Sequence, residues 1–242
     1  MHTPNLSNMK FKDWINYIVD PSDTWINTVD PTGNDRDNIT IPLGLNVAPP
    51  DYRQLTNHSE INTELLFYSF GTKSGVSSGR FKGDMLNNFA DNVTRESIKD
   101  TLDKTYTMTP LSQEDYYNNI GKYKFVVSPR GNGIDCYRHY ETWISKGIPI
   151  LQRTRFITEK YKGLPILWTK DYSEINDDYL NNMYEKIINA EFDFRRLLYS
   201  QYSPKIQRQI CIISKYSNTI KKDGVNKSAQ KVLWKYEDFF DS

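Results

Sequence analysis

The chain has 242 residues, and its 31 Lys and Arg against 30 Asp and Glu give a formal net charge of +1. With 38 % hydrophobic and 25 % charged residues, its composition is that of an ordinary soluble globular protein. The balanced charge excludes a bulk field that would attract nucleic acid or a membrane surface, so an anionic ligand must be held by a local arrangement.

The first 50 residues predict a short N-terminal segment. Residues 1–38 are polar and rich in turns, with a short helix predicted around 10–18, and residues 39–47 predict a short strand followed by a bend. Pro49-Pro50 then marks a boundary. This segment is too short and too interrupted to predict an independent domain.

Residues 51–190 predict a single α/β domain. Strands are predicted at 65–70, 123–128, 148–151 and 164–168, with a candidate strand at 105–109. Helices are predicted at 80–90, 112–120, 135–146 and 177–189, and helix is favoured over other structure at 92–104. The tail, 191–242, predicts further helix that packs on this domain, with breaks near Pro204 and Gly224.

Short apolar strands that alternate with helices predict a Rossmann-like parallel sheet with helices on both faces. In such sheets ligands bind beyond the carboxyl ends of the strands. That rule directs attention to two loops rich in glycine and polar residues, 71–79 and 128–135.

The segment 123–150 carries the strongest functional pattern, a strand followed by a glycine loop, a helix and a second strand. Gly131 and Gly133 allow a phosphate to approach the backbone closely, and the helix start supplies unpaired N–H groups and partial positive charge. Arg130 and Arg138 add forked cationic donors. The pattern predicts a phosphate site.

A helical-wheel projection of this helix separates two sides. The apolar side consists of Cys136, Tyr137, Tyr140, Trp143 and Ile144. The opposite, polar side consists of Asp135, Arg138, His139 and Thr142, with Glu141 at the border. Arg138 is then expected at phosphate depth, and Glu141, one turn further along, at the depth of a ribose. A simpler interpretation stays open, in which Asp135 only caps the helix and Arg138 and Glu141 form an exposed ion pair.

The two cysteines, Cys136 and Cys211, are far apart and lack metal spacing, which fits a reducing compartment. The first residues show no basic start followed by an apolar run, and no span of about 18 apolar residues occurs. We therefore expect a cytoplasmic protein without a membrane span.

Several residues of this segment resemble the shared stretch of exostosin-like glycosyltransferases of the family-47 type. They are Phe125, Pro129-Arg130-Gly131, Arg138, Glu141 and Gly147-Ile148-Pro149-Ile150. The resemblance is strong over about 30 residues and extends upstream to Ile41–Leu45, which resembles the junction between the two lobes of that family, and to Arg80, which resembles its phosphate-side arginine.

The resemblance implies the donor lobe of a two-lobe GT-B fold, in which a sugar passes from a nucleotide sugar to a glycan or glycoprotein acceptor. It implies inversion at the sugar, with neither a metal nor a cofactor. Arg138 is expected to be catalytic at the diphosphate, beside Arg80 and Arg130, and Glu141 is expected on the ribose. The expected donor-binding residues are Arg80, Arg130, Gly131, Asn132, Gly133, Asp135 and Glu141.

Only about 40 residues precede the predicted lobe junction, too few for a full acceptor lobe. The alternative function is therefore a non-catalytic nucleotide-sugar-binding lobe that acts as a subunit or regulator. The C-terminal helices with a partner subunit, or a dimer, could instead supply the acceptor side. A generic Rossmann phosphate binder is a third interpretation, although the Gly-x-Gly-x-x-Gly spacing is absent.

The remaining constellations predict little chemistry. Asp35-Arg36-Asp37 has the form of a metal motif but follows a turn, so it is interpreted as a loop. No two of the histidines His2, His58 and His139 have metal-ligand spacing. His58 is a candidate general base only if the acceptor lies near the lobe junction, and is otherwise an ordinary surface residue.

Overall fold

A computed structural model of the chain describes residues 5–19, 53–56, 58–72, 93–108, 110–130, 136–153 and 155–207. The strands are β1 (Met9–Lys10), β2 (Glu64–Phe67), β3 (Tyr123–Val127), β4 (Ile148–Gln152), β5 (Leu167–Thr169) and β6 (Glu191–Phe192). The helices are α1 (Phe11–Asn16), α2 (Arg53–Thr56), α3 (Arg95–Leu102), α4 (Gln113–Asn119), α5 (Tyr137–Ile144), α6 (Arg155–Lys160) and α7 (Asp177–Asn189). The strand predicted in 39–47, the helix predicted at 80–90, and the chain from 208 onward lie outside the described residues.

The centre of the fold is a four-stranded parallel sheet in the order β2-β3-β4-β5. Phe125 in β3 is in register with Leu66 in β2 and with Ile148 in β4. Phe125, Val126 and Val127 are all 0 % exposed, as expected for a strand covered on both faces. Helices flank this sheet, so the predicted α/β class is confirmed, and the architecture is compatible with a Rossmann-like fold.

Local capping explains where two of the flanking helices begin. The Ser112 side chain accepts a hydrogen bond from the Asp115 N–H at the start of α4. The Asn176 side chain accepts one from the Tyr179 N–H at the start of α7. These contacts satisfy N–H groups that lack a partner within the helix. The bounds of α7 coincide with the predicted helix at 177–189.

The candidate strand at 105–109 is wrong for the residues described there. Thr105 is in a turn, and 106–108 form no strand. The backbone N–H groups of Thr105 and Tyr106 both donate to the Leu102 carbonyl, which closes the end of α3. The Tyr106 hydroxyl donates to Asp177 Oδ1 at 2.7 Å, so this segment links α3 to α7.

The helix of the central motif is shorter than predicted and ends differently. It begins after Cys136, and its left-handed terminal residue is Lys146, with φ of 68°, in place of the expected Gly147. The Lys146 N–H donates to the Trp143 carbonyl and the Gly147 N–H to the Thr142 carbonyl, which is the Schellman pattern. Gly147 serves close approach instead, because a Cβ there would lie 3.2 Å from the Tyr123 carbonyl oxygen.

Residues 5–19 pack against the sheet domain. β1 pairs with β6 in antiparallel fashion. The Trp14 ring stacks on Phe194 with centroids 4.3 Å apart, and Trp14 Nε1 donates to the Trp143 carbonyl at 3.0 Å. The described part of the tail, 191–207, contributes β6 and the 3-10 turns Arg195–Leu197 and Tyr199–Gln201.

None of the helices in the described residues combines the length and the apolar character that crossing a membrane requires.

Candidate functional site

The candidate site lies at the carboxyl edge of the parallel sheet, where predicted ligand loops follow β2 and β3. Gly71 follows β2, Arg130 follows β3, and α5 begins with Cys136 as its N-cap. This is the edge at which α/β sheets bind ligands. Of the predicted donor-binding residues, Arg80, Gly131, Asn132, Gly133 and Asp135 lie outside the described residues.

Arg138 lies in the first turn of α5, and its guanidinium carbon is 5.4 Å from the centre of the Tyr116 ring. Its Nε and Nη1 atoms are buried and have no hydrogen-bond partner among the described residues. Burial acts to lower the pKa of Arg138, but Tyr116, Cys136 and Glu141 outweigh that effect, so the group stays charged. The site therefore presents a buried cation with two nitrogens, Nε and Nη1, still available as donors.

Glu141 is one turn beyond Arg138 and is only 6 % exposed. Its Oε2 accepts a hydrogen bond from the Tyr116 hydroxyl at 2.8 Å, and its Oε1 lies 3.5 Å from the Tyr117 hydroxyl. Burial raises the pKa of Glu141, while the Tyr116 hydroxyl and the charge of Arg138 oppose the rise. Ribose hydroxyls must therefore bind to the remaining lone pairs of this carboxylate or displace a tyrosine.

Arg95, the first residue of α3, ties the two loops of this edge together. Its Nε donates to the Arg130 carbonyl at 2.9 Å, and its Nη1 donates to the Gly71 carbonyl at 2.8 Å. Thr94 and Ser97 form a reciprocal capping box that fixes the start of α3 and hence the position of Arg95. The carboxyl ends of β2 and β3 are thus connected through one guanidinium.

Tyr172, which follows β5 at the same edge of the sheet, has a strained backbone. Its φ is 67°, a left-handed conformation that bulky residues rarely adopt. Its N–H donates to Thr169 Oγ1 at 2.8 Å, and its ring is 1 % exposed. Strain of this kind costs about 1–3 kcal/mol and is concentrated at ligand sites.

The predicted polar side of α5 is wrong for His139 and Thr142, both of which are 0 % exposed. His139 Nδ1 lies 2.8 Å from the Tyr161 hydroxyl, and its Nε2 lies 3.1 Å from the Ser128 carbonyl. Thr142 Oγ1 donates to the Arg138 carbonyl at 2.7 Å. The simple two-sided pattern fails because α5 is covered almost all round, and His139 is a core residue with both ring nitrogens in contact with protein atoms. The alternative of an exposed Arg138–Glu141 ion pair fails for the same reason.

His58 lies at the opposite edge. Its imidazole packs against Gly121, which precedes β3, and burial lowers its pKa. It is half-buried, so it is neither an ordinary surface residue nor close to the carboxyl ends of the strands.

The structure brings together Arg138, Glu141 and the backbone of Arg130, and adds Arg95 and Tyr116. Neither addition has a motif of its own. The one usable signal was the Thr94-x-x-Ser97 spacing, which predicts a helix start and places Arg95 in its first turn. The partner of that arginine depends on the sheet topology.

No protein-family model matches the sequence, and no curated protein is significantly similar to it.

Proposed function

We propose that the chain is a glycosyltransferase that binds a nucleotide sugar at the carboxyl edge of the sheet and transfers the sugar to a carbohydrate acceptor. The proposal combines the exostosin-like pattern of 123–150 with the geometry around Arg138. It includes inversion at the sugar and a diphosphate held by arginines in place of a metal.

The observation that carries the proposal is the state of Arg138. A buried guanidinium whose Nε and Nη1 have no partner among the described residues is costly, because buried charged donors need hydrogen bonds. An anion with several oxygens supplies those bonds, and a forked guanidinium suits phosphate oxygens. A diphosphate at the start of α5 would also meet the partial positive charge of that helix terminus.

The proposed roles of the residues follow from the negative charge that develops on the diphosphate during sugar transfer. The acceptor hydroxyl attacks the anomeric carbon, the bond to the diphosphate breaks, and the hydroxyl proton passes to a base that is not identified among the described residues. Negative charge grows on the leaving diphosphate, where Arg138 and the helix start stabilise it. Glu141 is proposed to accept hydrogen bonds from the ribose.

A second candidate function is donor binding without turnover. It is favoured by the packing of residues 5–19, which belong to the sheet domain through β1, Trp14 and Phe11 and so add no separate lobe. In this function the chain is a nucleotide-sugar-binding subunit or regulator, and a partner supplies the acceptor side.

The test begins with calorimetric titration of uridine, guanosine and adenosine diphosphate sugars, with and without divalent metal. Arg138→Ala is expected to weaken binding of the preferred donor about 10- to 100-fold, the magnitude for loss of a charge-assisted contact. Arg138→Lys keeps the cation beside Glu141, so its donor affinity is expected to lie between those of Arg138→Ala and the unmodified chain. Release of nucleoside diphosphate in the presence of oligosaccharide acceptors then distinguishes transfer from binding alone.

Arg195→Ala is the matched control, because Arg195 pairs with Asp193 at 2.6 Å and Asp193 N–H donates to Gly163, which precedes β5. Its donor affinity should equal that of the unmodified chain. Donor binding without diphosphate release would favour the binding subunit. Unchanged donor affinity in Arg138→Ala would contradict both functions.

A further inference from the structure

Arg95 is a guanidinium that neither the sequence pattern nor the resemblance assigns to the site. It is half-buried, and it donates hydrogen bonds to two backbone carbonyls, those of Gly71 and Arg130. No carboxylate of the described residues forms an ion pair with it. Carbonyl dipoles offset only part of the cost of removing a full charge from water, so the cation remains without a counter-charge in the described part of the chain.

Arg138 is a second cation close to Arg95. Burial lowers the pKa of Arg95, and the nearby charge of Arg138 lowers it further, although the Cys136 thiol opposes this. The chain path places them at the same edge, because Arg95 binds the Arg130 carbonyl in the segment that follows β3, and Arg138 is in the first turn of α5, the next helix described. Two like charges held together at a ligand-binding edge are destabilising unless an anion lies between them.

The donors of Arg95 are suited to such an anion. Its Nε–H and one Nη1–H are used by the carbonyls, which fix the plane of the guanidinium. The remaining N–H groups have no partner among the described residues. A guanidinium held by two carbonyls is pre-organised, so it loses little side-chain entropy on binding a ligand.

We propose that Arg95 is a ligand-contacting residue, and that Arg95 and Arg138 together bind the diphosphate of the donor. This rests on the proposed function for the identity of the donor, but the arginine pair itself requires only a compact polyanion. Arg95 also contacts the backbone after both strands, at Gly71 after β2 and at Arg130 after β3.

The test uses inorganic pyrophosphate as the probe, titrated by calorimetry into the whole chain. Arg95→Gln keeps an amide donor for one carbonyl and removes the charge, whereas Arg95→Lys keeps the charge and loses the fork. We expect Arg95→Gln to weaken pyrophosphate binding about tenfold or more, and Arg95→Lys to restore part of the affinity. Raising the salt concentration should weaken binding less in Arg95→Gln than in Arg95→Lys, because salt screens only the charged side chain.

A purely structural role predicts something different. In that case both variants lower the thermal midpoint, and pyrophosphate affinity and its salt dependence do not follow the charge at position 95. That result would overturn the inference. Arg195→Gln serves as the control for removing a partly buried guanidinium, since Arg195 pairs with Asp193.

If Arg95→Gln fails to fold, the unmodified chain still provides a test through modification by phenylglyoxal, read by mass spectrometry. Pyrophosphate should protect Arg95 and Arg138 and leave Arg195 unprotected. Equal modification of Arg95 with and without pyrophosphate, while Arg138 is protected, would refute the inference.

The two proposals fail separately. If pyrophosphate binding depends on Arg95 but no nucleotide sugar binds, the proposed function is refuted and the arginine pair is supported. Donor binding that depends on Arg138 and is unaffected in Arg95→Gln would keep the function and remove Arg95. Absence of pyrophosphate binding to the unmodified chain would overturn the arginine pair.

Discussion

At the scale of single residues, Lys146 is placed in two unfavourable conditions at once. It adopts a left-handed backbone, which costs roughly 1–2 kcal/mol for a residue with a Cβ, and its side chain is only 9 % exposed. Its Nζ donates to the Tyr17 carbonyl at 2.9 Å and lies 3.7 Å from the centre of the Trp14 ring. These contacts offset part of the unfavourable free energy, and they fasten residues 5–19 to the end of α5.

The ammonium of Lys146 makes stability depend on pH. Burial lowers its pKa from 10.5 to about 7, so between these values the unfolded chain binds more protons than the folded chain. The free energy of unfolding should therefore rise as pH increases from about 7 towards 10. Urea unfolding at pH 7.5 and 9.5 is expected to show a larger rise for the unmodified chain than for Lys146→Met.

Lys124→Met is the matched control, since Lys124 also lies over an aromatic ring, 4.6 Å from the centre of Tyr184, but is less buried. Its pH profile should follow that of the unmodified chain. Parallel profiles for Lys146→Met and the unmodified chain would contradict the assignment of the pH effect to Lys146.

At the scale of elements, the sequence predicted those helices and strands whose bounds are determined by local interactions. The bounds of α7 follow from the Asn176 cap, two acidic residues in its first turn and apolar residues at helical spacing. The uninterrupted apolar residues Phe125, Val126 and Val127 predicted a covered strand, because a strand buried on both faces shows no alternation. These signals require no knowledge of neighbours.

Elements whose surroundings come from distant parts of the chain could not be predicted in this way. The polar residues of α5 read as a solvent-facing or ligand-facing side, yet Tyr161 and the Ser128 carbonyl satisfy His139, and Tyr116 satisfies Glu141. The same limit applies to the candidate site. Arg138 and Glu141 were visible as a pair on one helix, whereas Arg95 joins them only through the pairing of β2 with β3.

The connection before β3 gives a prediction at this scale. A Cβ on Gly121 would lie 2.0 Å from His58 Cδ2, so Gly121→Ala must displace a half-buried ring. We expect a loss of about 1–3 kcal/mol in the free energy of unfolding, the magnitude of overpacking. Urea denaturation measures it, and adding His58→Ala should remove most of the Gly121→Ala effect, since the two changes share one contact.

Gly71→Ala provides the comparison, because no atom of the described residues lies within 4 Å of a Cβ built there. It should alter stability by much less than Gly121→Ala. Equal losses in the two variants would mean that the His58 contact does not determine the effect.

At the scale of the whole molecule, two sets of contacts stabilise the fold: the pairing of the parallel strands and the attachment of residues 5–19. The parallel sheet joins strands that follow one another in the described part of the chain. Residues 5–19 are instead attached by long-range contacts, such as the hydrogen bond from the Asn8 side chain to Glu191 at 2.6 Å, across 183 positions. β1 has only two residues, and among the described residues its sheet has only two strands. Because few backbone hydrogen bonds join this segment to the rest, we expect it to detach while the four-stranded sheet stays paired.

Native-state hydrogen exchange should distinguish the opening of residues 5–19 from the unfolding of the parallel sheet. The Phe11 amide, which donates to the Ala190 carbonyl at 3.1 Å, is expected to exchange through a partial opening with a lower free energy and weaker denaturant dependence than the amides of β3. Exchange of both sets with the same free energy and the same denaturant dependence would show that the segment opens only when the whole domain unfolds.

The order β2-β3-β4-β5 has a consequence for the protein while it is being made. Among the described residues, each strand of that sheet is followed along the chain by its neighbour in the sheet, so these four strands are able to pair one after another from one edge. Met9 has no partner until Phe192 has been synthesised. At about 5–20 residues per second, β1 waits roughly 10 to 40 seconds, with the apolar side chains of α1 uncovered, for the contacts that finally bury them.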